Sequence, residues 1–154
     1  MLTRCPNCGA GRLKRRPVDR TRHVAGHRFS ARLAAQVCGS CGETYFDDAT
    51  VASFDLAVAA RLADAGVTSA DALKFMRKVT GLQGKEFAAL LHVRPETVSR
   101  WEQAKRPIDR ATYAIIRQLI SERMRGSTGM VDYLRSLQKP KRLPKVVKLG
   151  MAAA

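Results

Sequence analysis

The chain has 154 residues, is 45% hydrophobic and carries a formal net charge of +15. That hydrophobic fraction supports a packed core and excludes a wholly disordered chain, and the length suits one ordinary domain or two small ones. The excess of Lys and Arg is spread along the chain and points to a polyanionic partner, while no apolar run approaches the roughly 20 residues that a membrane span needs.

The N-terminal stretch MLTRCPNCGAG has no apolar h-region, so a cytoplasmic location with reduced thiols is expected. Residues 1–46 hold all four cysteines, as Cys5-x-x-Cys8 and Cys38-x-x-Cys41. Two such pairs flanking a hairpin-sized insert suit a tetrahedral four-thiolate Zn²⁺ site, one ion per chain and structural in role. Disulfides fit the compartment badly, and a redox Cys-x-x-Cys usually comes alone beside a βαβ pattern. Gly9 and Gly42, each just after a pair, permit the sharp turns that bring thiolates together. The insert predicts strands at Leu13–Val18, His27–Leu33 and Ala35–Cys38, with His27, Phe29, Ala31 and Leu33 on one face. His23 and His27 are potential ligands by type, but four cysteines already complete the shell. The basic run Lys14–Arg15–Arg16 is either a solvated edge that discourages sheet pairing or a contact surface.

Asp47 and Asp48 are helix-capping residues ahead of a run through Val51, Phe54, Leu56, Val58 and Leu62 that Gly66 ends. This predicts an alanine-rich connecting helix. Ser69 caps the next helix, whose buried stripe is Leu73, Met76 and Val79, and Gly81 terminates it. From Leu82 to Glu102, LQGKEFAALLHVRPETVSRWE predicts two short helices joined by a tight turn. Phe87, Ala88 and Leu91 form the inner face of the first. Pro95 suits the first position of the second, which turns Val98 and Trp101 inward. Arg94, Glu96, Thr97 and Arg100 then face out. In a helix-turn-helix the second helix lies in the major groove of double-stranded DNA. Asp109 caps a further helix through Tyr113, Ile116, Leu119 and Ile120, and a short one covers Met130–Leu137. The chain ends KPKRLPKVVKLGMAAA, a composition expected to stay disordered.

The expected organisation is α+β. A small four-cysteine zinc module with a short β-sheet occupies 1–46 and a connecting helix 47–66. An all-α five-helix helix-turn-helix domain occupies 67–138, and a basic tail 139–154. No enzyme is expected: four thiolates leave zinc no open position, and HExxH, GxSxG and a phosphate-cradling glycine loop are all lacking.

The five helices with SRWE closing the third resemble the Cro/repressor, XRE-type DNA-binding domain. A CPNCG…CGSCGE module ahead of LQGKEFAALLHVRPETVSRWEQAKRPI resembles the MqsA-like type II antitoxins, in which a YgiT-type zinc finger precedes that domain. The resemblance covers roughly residues 4–126. It implies a repressor of its own operon that binds a ribonuclease-like toxin through the zinc module and acts as a homodimer. It makes Cys5, Cys8, Cys38 and Cys41 the zinc ligands and places Glu96 and Arg100 at base-reading positions. Gln83 stands in for the phosphate-binding Gln that many such repressors have at the position of Gly84. Lys85, Arg94, Thr97, Ser99, Lys105 and Arg106 complete the expected DNA-contacting set. The alternative is a stand-alone zinc-containing regulator with no toxin partner.

Overall fold

One long hairpin, rather than three short strands, joins the two cysteine pairs. The computed structural model describes residues 4–139 and 142–148. Strands β1 (Leu13–Val24) and β2 (His27–Cys38) pair antiparallel along their whole length, from Leu13 opposite Cys38 to Val24 opposite His27. A third short strand, β3 (Thr44–Tyr45), adds to β2 after the second cysteine pair, giving the sheet order β1-β2-β3. The hairpin turns on Ala25 and Gly26, both at positive φ (52° and 79°). Two such residues make the turn whose twist matches that of the flanking strands.

The second half of β1 was hidden in the sequence because its inward residues are charged. Arg20 stacks over the Phe46 ring at 5.0 Å. Arg22 donates to both oxygens of Asp55, at 2.7 and 2.6 Å, and lies 6.0 Å from the Phe75 centroid. Long guanidinium side chains lay their stems on apolar surface while their heads find partners, so they stand where an apolar residue would be expected. Val24, next on that face, is buried in the same hydrophobic core as the helices.

Six helices follow the sheet: α1 (Asp48–Asp64), α2 (Ala70–Val79), α3 (Gly84–Leu90), α4 (Pro95–Glu102), α5 (Arg110–Met124) and α6 (Gly129–Leu137). The expected connecting helix and the five helices over 67–138 are all present, but α1 packs along α5 and α2, so it is a sixth member of the bundle and not a separate connector. Its alanines make this possible: Ala59 and Ala63 are fully buried and let the neighbouring helix come close. The Tyr113 hydroxyl donates to the Ala63 carbonyl at 3.1 Å and pins the pair. The caps fall where expected. Asp47, Ser69 and Asp109 accept from the backbone N–H of Thr50, Ala72 and Thr112. Each such bond satisfies one of the donors that a helix start leaves orphaned.

The α3–α4 connection is a Schellman turn. Val93 N–H donates to Ala88 O at 3.0 Å and His92 N–H to Ala89 O at 3.2 Å. His92 takes the left-handed conformation (φ 53°) that usually selects glycine. Because the helix closes this way, Leu90 is the buried leucine of α3, and Leu91, expected on the inner face, is the half-buried cap residue. Among the described residues no helix is long and apolar enough to cross a membrane.

Candidate metal centre and nucleic-acid interface

The four cysteines converge. Their sulfur atoms all lie within 4.8 Å of one another. Cys5 to Cys41 is 3.6 Å and Cys8 to Cys38 is 3.7 Å, each pair taking one sulfur from each turn. A tetrahedral shell with metal–sulfur bonds of about 2.3 Å has edges of about 3.8 Å, so the cradle already has the dimensions of a four-thiolate site. These spacings are far too long for disulfides, whose sulfurs sit about 2.05 Å apart, and all four residues are free cysteines.

The two turns are near copies. In each, the glycine four residues on donates back to the first cysteine carbonyl: Gly9 to Cys5 at 2.9 Å and Gly42 to Cys38 at 3.1 Å. Gly9 and Gly42 sit at φ 67° and 74°. Backbone N–H groups of Ser40 and Cys41 point at Cys38 Sγ, at 3.4 and 3.5 Å. They hold that thiol below its ordinary range. Burial raises the Cys5 thiol, but hydrogen bonds from the Cys8 and Asn7 backbone and from Tyr45 and Cys41 outweigh it and bring it to about 6. Cys41 is pushed the other way, to about 11: the Glu43 backbone lowers it, and the thiols of Cys38, Cys5 and Cys8 together with burial more than reverse that. Opposed shifts are what thiols crowded into one site produce, since few of them can carry charge without a cation.

His23 and His27 lie at the other end of the hairpin, beside its turn, where His23 pairs with Arg28 and His27 with Val24. Roughly ten register steps at about 3.3 Å separate them from the cysteines, so neither belongs to the metal cradle.

Two features of the cradle were missed in the sequence. Gly11 is buried, and a Cβ built on it would lie 2.2 Å from Cys38 Sγ. Only glycine leaves room for that sulfur. The Tyr45 hydroxyl approaches Cys5 Sγ at 3.6 Å, and that contact pushes the phenol up to about 12.

The second cluster lies on α3 and α4. Val98 and Trp101 are buried, so the side of α4 carrying Glu96, Ser99 and Arg100 faces solvent. Thr97 is half-buried on its flank, and Arg94, the N-cap, is exposed. Ser99 accepts from Gln103 Nε2 at 2.8 Å. Lys105 and Arg106 lie in the loop after α4, their backbone N–H groups bonded to Arg100 O at 2.9 and 3.3 Å. Gln83 is the N-cap of α3, fixed by Glu86, whose carboxylate accepts from its backbone at 2.7 Å; Lys85 is exposed in the first turn. Among the described residues, none of Lys85, Arg94, Arg100, Lys105 and Arg106 is in an ion pair.

Charge pairing is instead spent behind this face. Arg77 of α2 is only 7% exposed. It donates through Nε to Glu102 Oε1 at 2.5 Å, through Nη2 to Glu102 Oε2 at 3.1 Å and through Nη1 to Leu82 O at 2.7 Å. One guanidinium thus ties the last residue of α4 to α2 and to the segment leading into α3. The sequence shows both charges, but nothing local joins residues so far apart. Comparison with known proteins adds no assignment: no family model and no curated protein matches this chain.

Proposed function

We propose that the protein is a sequence-specific repressor that binds double-stranded DNA through α3 and α4, with Zn²⁺ as the structural ion of its four-cysteine cradle. It works as a homodimer, without enzymatic activity, and as the antitoxin of a type II pair whose ribonuclease-like toxin docks on the metal module. The observation that carries the DNA reading is the face of α4. The cations Lys85, Arg94, Arg100, Lys105 and Arg106, on or beside the α3–α4 unit, have no ion-pair partner among the described residues, while Arg77 and Glu102 fix the helix from behind. Phosphates need such cations and base edges need a few projecting side chains; the interface offers both. Arg100 presents a guanidinium fork suited to the O6 and N7 acceptors of guanine. The homodimer is supported by the outer face of α6, where Tyr133 and Leu137 are 60% and 47% exposed. Zn²⁺ is supported by an all-thiolate donor set of tetrahedral size. The antitoxin role is supported by the order of the two motifs, CxxC…CxxC before SRWE.

The test is selection of bound duplexes from a random pool by the full chain, followed by Arg100→Ala. A pseudo-palindromic consensus is expected from the parent. The variant should keep its circular dichroism and lose preference at one position in each half-site, with about 1–3 kcal/mol of discrimination gone. Failure of the parent to enrich any sequence would overturn the reading.

A further inference from the structure

We infer that Lys139, Arg142, Lys145 and Lys148, C-terminal to α6, form a DNA-binding arm that neutralises phosphates beside the groove occupied by α4. This inference rests on the DNA reading of α3 and α4. Its footing is where the segment starts. The last turn of α6 lies against α3, and the Gln138 amide donates to Ala89 O at 3.0 Å across 49 positions of sequence. Ala89 belongs to the final turn of α3, immediately ahead of the Schellman turn into α4. The chain after α6 therefore starts beside α3 of the helix-turn-helix.

Its chemistry is that of a phosphate ligand. Residues 139–154 contain five Lys or Arg and no Asp or Glu; Lys141 among them lies outside the described residues. Arg142, Lys145 and Lys148 are exposed and have no ion-pair partner among the described residues. Residues 142–148 form neither helix nor strand, and Leu143 and Val146, 81% and 77% exposed, do not pack on the core. Pro144 restrains its own φ and disfavours helix in the residue before it. A ten-residue segment can reach at most about 33–36 Å, close to one turn of B-DNA, which is enough for phosphates beyond those under α4.

The experiment compares the full chain with a chain ending at Gln138 and with a full-length variant carrying Lys139→Gln, Arg142→Gln, Lys145→Gln and Lys148→Gln. Affinity for a 30-base-pair duplex of random sequence, and for a duplex selected by the full chain, is measured between 50 and 200 mM salt. Four lost phosphate contacts flatten the slope of log affinity against log salt by about 3.6. The full chain should therefore lose about 150-fold more affinity than the four-Gln variant over that range, on both duplexes alike. Equal slopes in all three proteins, with binding retained, would overturn the arm and leave the α4 reading standing. A loss confined to the selected duplex would overturn it as well, since the segment would then be reading bases. Absence of binding by the full chain to either duplex would overturn both readings.

Discussion

The Arg77–Glu102 pair makes a prediction about how α4 is held. The two side chains are 8% and 12% exposed. Glu102→Ala removes both carboxylate acceptors and leaves the guanidinium only its bond to Leu82 O. Arg77→Met strands a nearly buried carboxylate and orphans that same carbonyl. Breaking a buried pair from one side costs about 3–5 kcal/mol, because the remaining charge keeps its desolvation penalty without its partner. Replacing both, as in Arg77→Met with Glu102→Leu, removes the penalty together with the attraction, and should cost less than either single change. Urea unfolding can be followed by the fluorescence of the single tryptophan, Trp101, which is 4% exposed and adjacent to Glu102. With a urea slope of about 1–3 kcal/mol per molar, each single variant should lower the midpoint by at least about 1 M. A cost under about 1 kcal/mol for either single change, or a double variant that loses the sum of the two, would refute this account of the pair.

Gly11→Ala should fill the space occupied by Cys38 Sγ; overpacking of this kind costs about 1–3 kcal/mol. Metal content after challenge with a chelator should fall well below that of the parent, and parent-like retention of the metal would contradict the geometry. Asp109 should contribute to acid unfolding. Hydrogen bonds from the Thr112 backbone and hydroxyl hold its carboxyl below the usual range. Its folded value thus lies under its unfolded value of about 3.9, so its contribution is complete above that pH and is lost as pH falls through the folded value. Asp109→Asn keeps a good cap but does not titrate, so the stability difference between parent and variant should shrink between about pH 5 and pH 2; a constant difference would refute it.

What could be read in the sequence was local. The caps Asp47, Ser69 and Asp109, Pro95 at a helix start and glycines at positive φ act on neighbours within a turn, so residue type alone reports them. The cysteine cradle was legible for the same reason, since each turn is set within four residues and only the meeting of the two is tertiary. What escaped depended on distant partners. Arg20 and Arg22 disguised the second half of β1 because the Phe46 ring that Arg20 stacks over and the Asp55 carboxylate that Arg22 donates to come later in the chain. Gly11 carries no local signal, because the constraint on it comes from the distant Cys38 Sγ. The Arg77–Glu102 pair and the docking of α1 on α5 likewise join segments that no window of sequence contains. The outward residues of α4 were legible as a pattern because Val98 and Trp101 fix its inward side, and whatever is left must face out.

The hairpin is held at its two ends by different chemistry, and the magnitudes say which end governs what. At its base lie the cysteines; with the proposed Zn²⁺ bound, such a four-thiolate site contributes roughly 10–16 kcal/mol of apparent folding free energy in small metal modules. At its tip, Val24 is buried against the helices, worth about 1.5–3 kcal/mol. Arg22 pairs with Asp55 at side-chain exposures of 33% and 20%. That degree of solvent access screens the pair to the order of 1 kcal/mol. Phe29, Ala31 and Leu33 of β2 also pack, half-buried, against the helical core, so the hairpin's hold on the helices runs along β2 and not only at the tip. Meanwhile the helical core of Leu62, Leu73, Met76, Phe87, Val98, Ile116 and Ile120 is buried without any contribution from the cradle. Loss of metal would free the cradle and the base of the hairpin, while the burial that orients α4 would persist. Metal affinity and DNA affinity are then expected to be linked by no more than the contacts of Val24, Phe29, Ala31 and Leu33 with the helices supply, since a coupling free energy cannot exceed them.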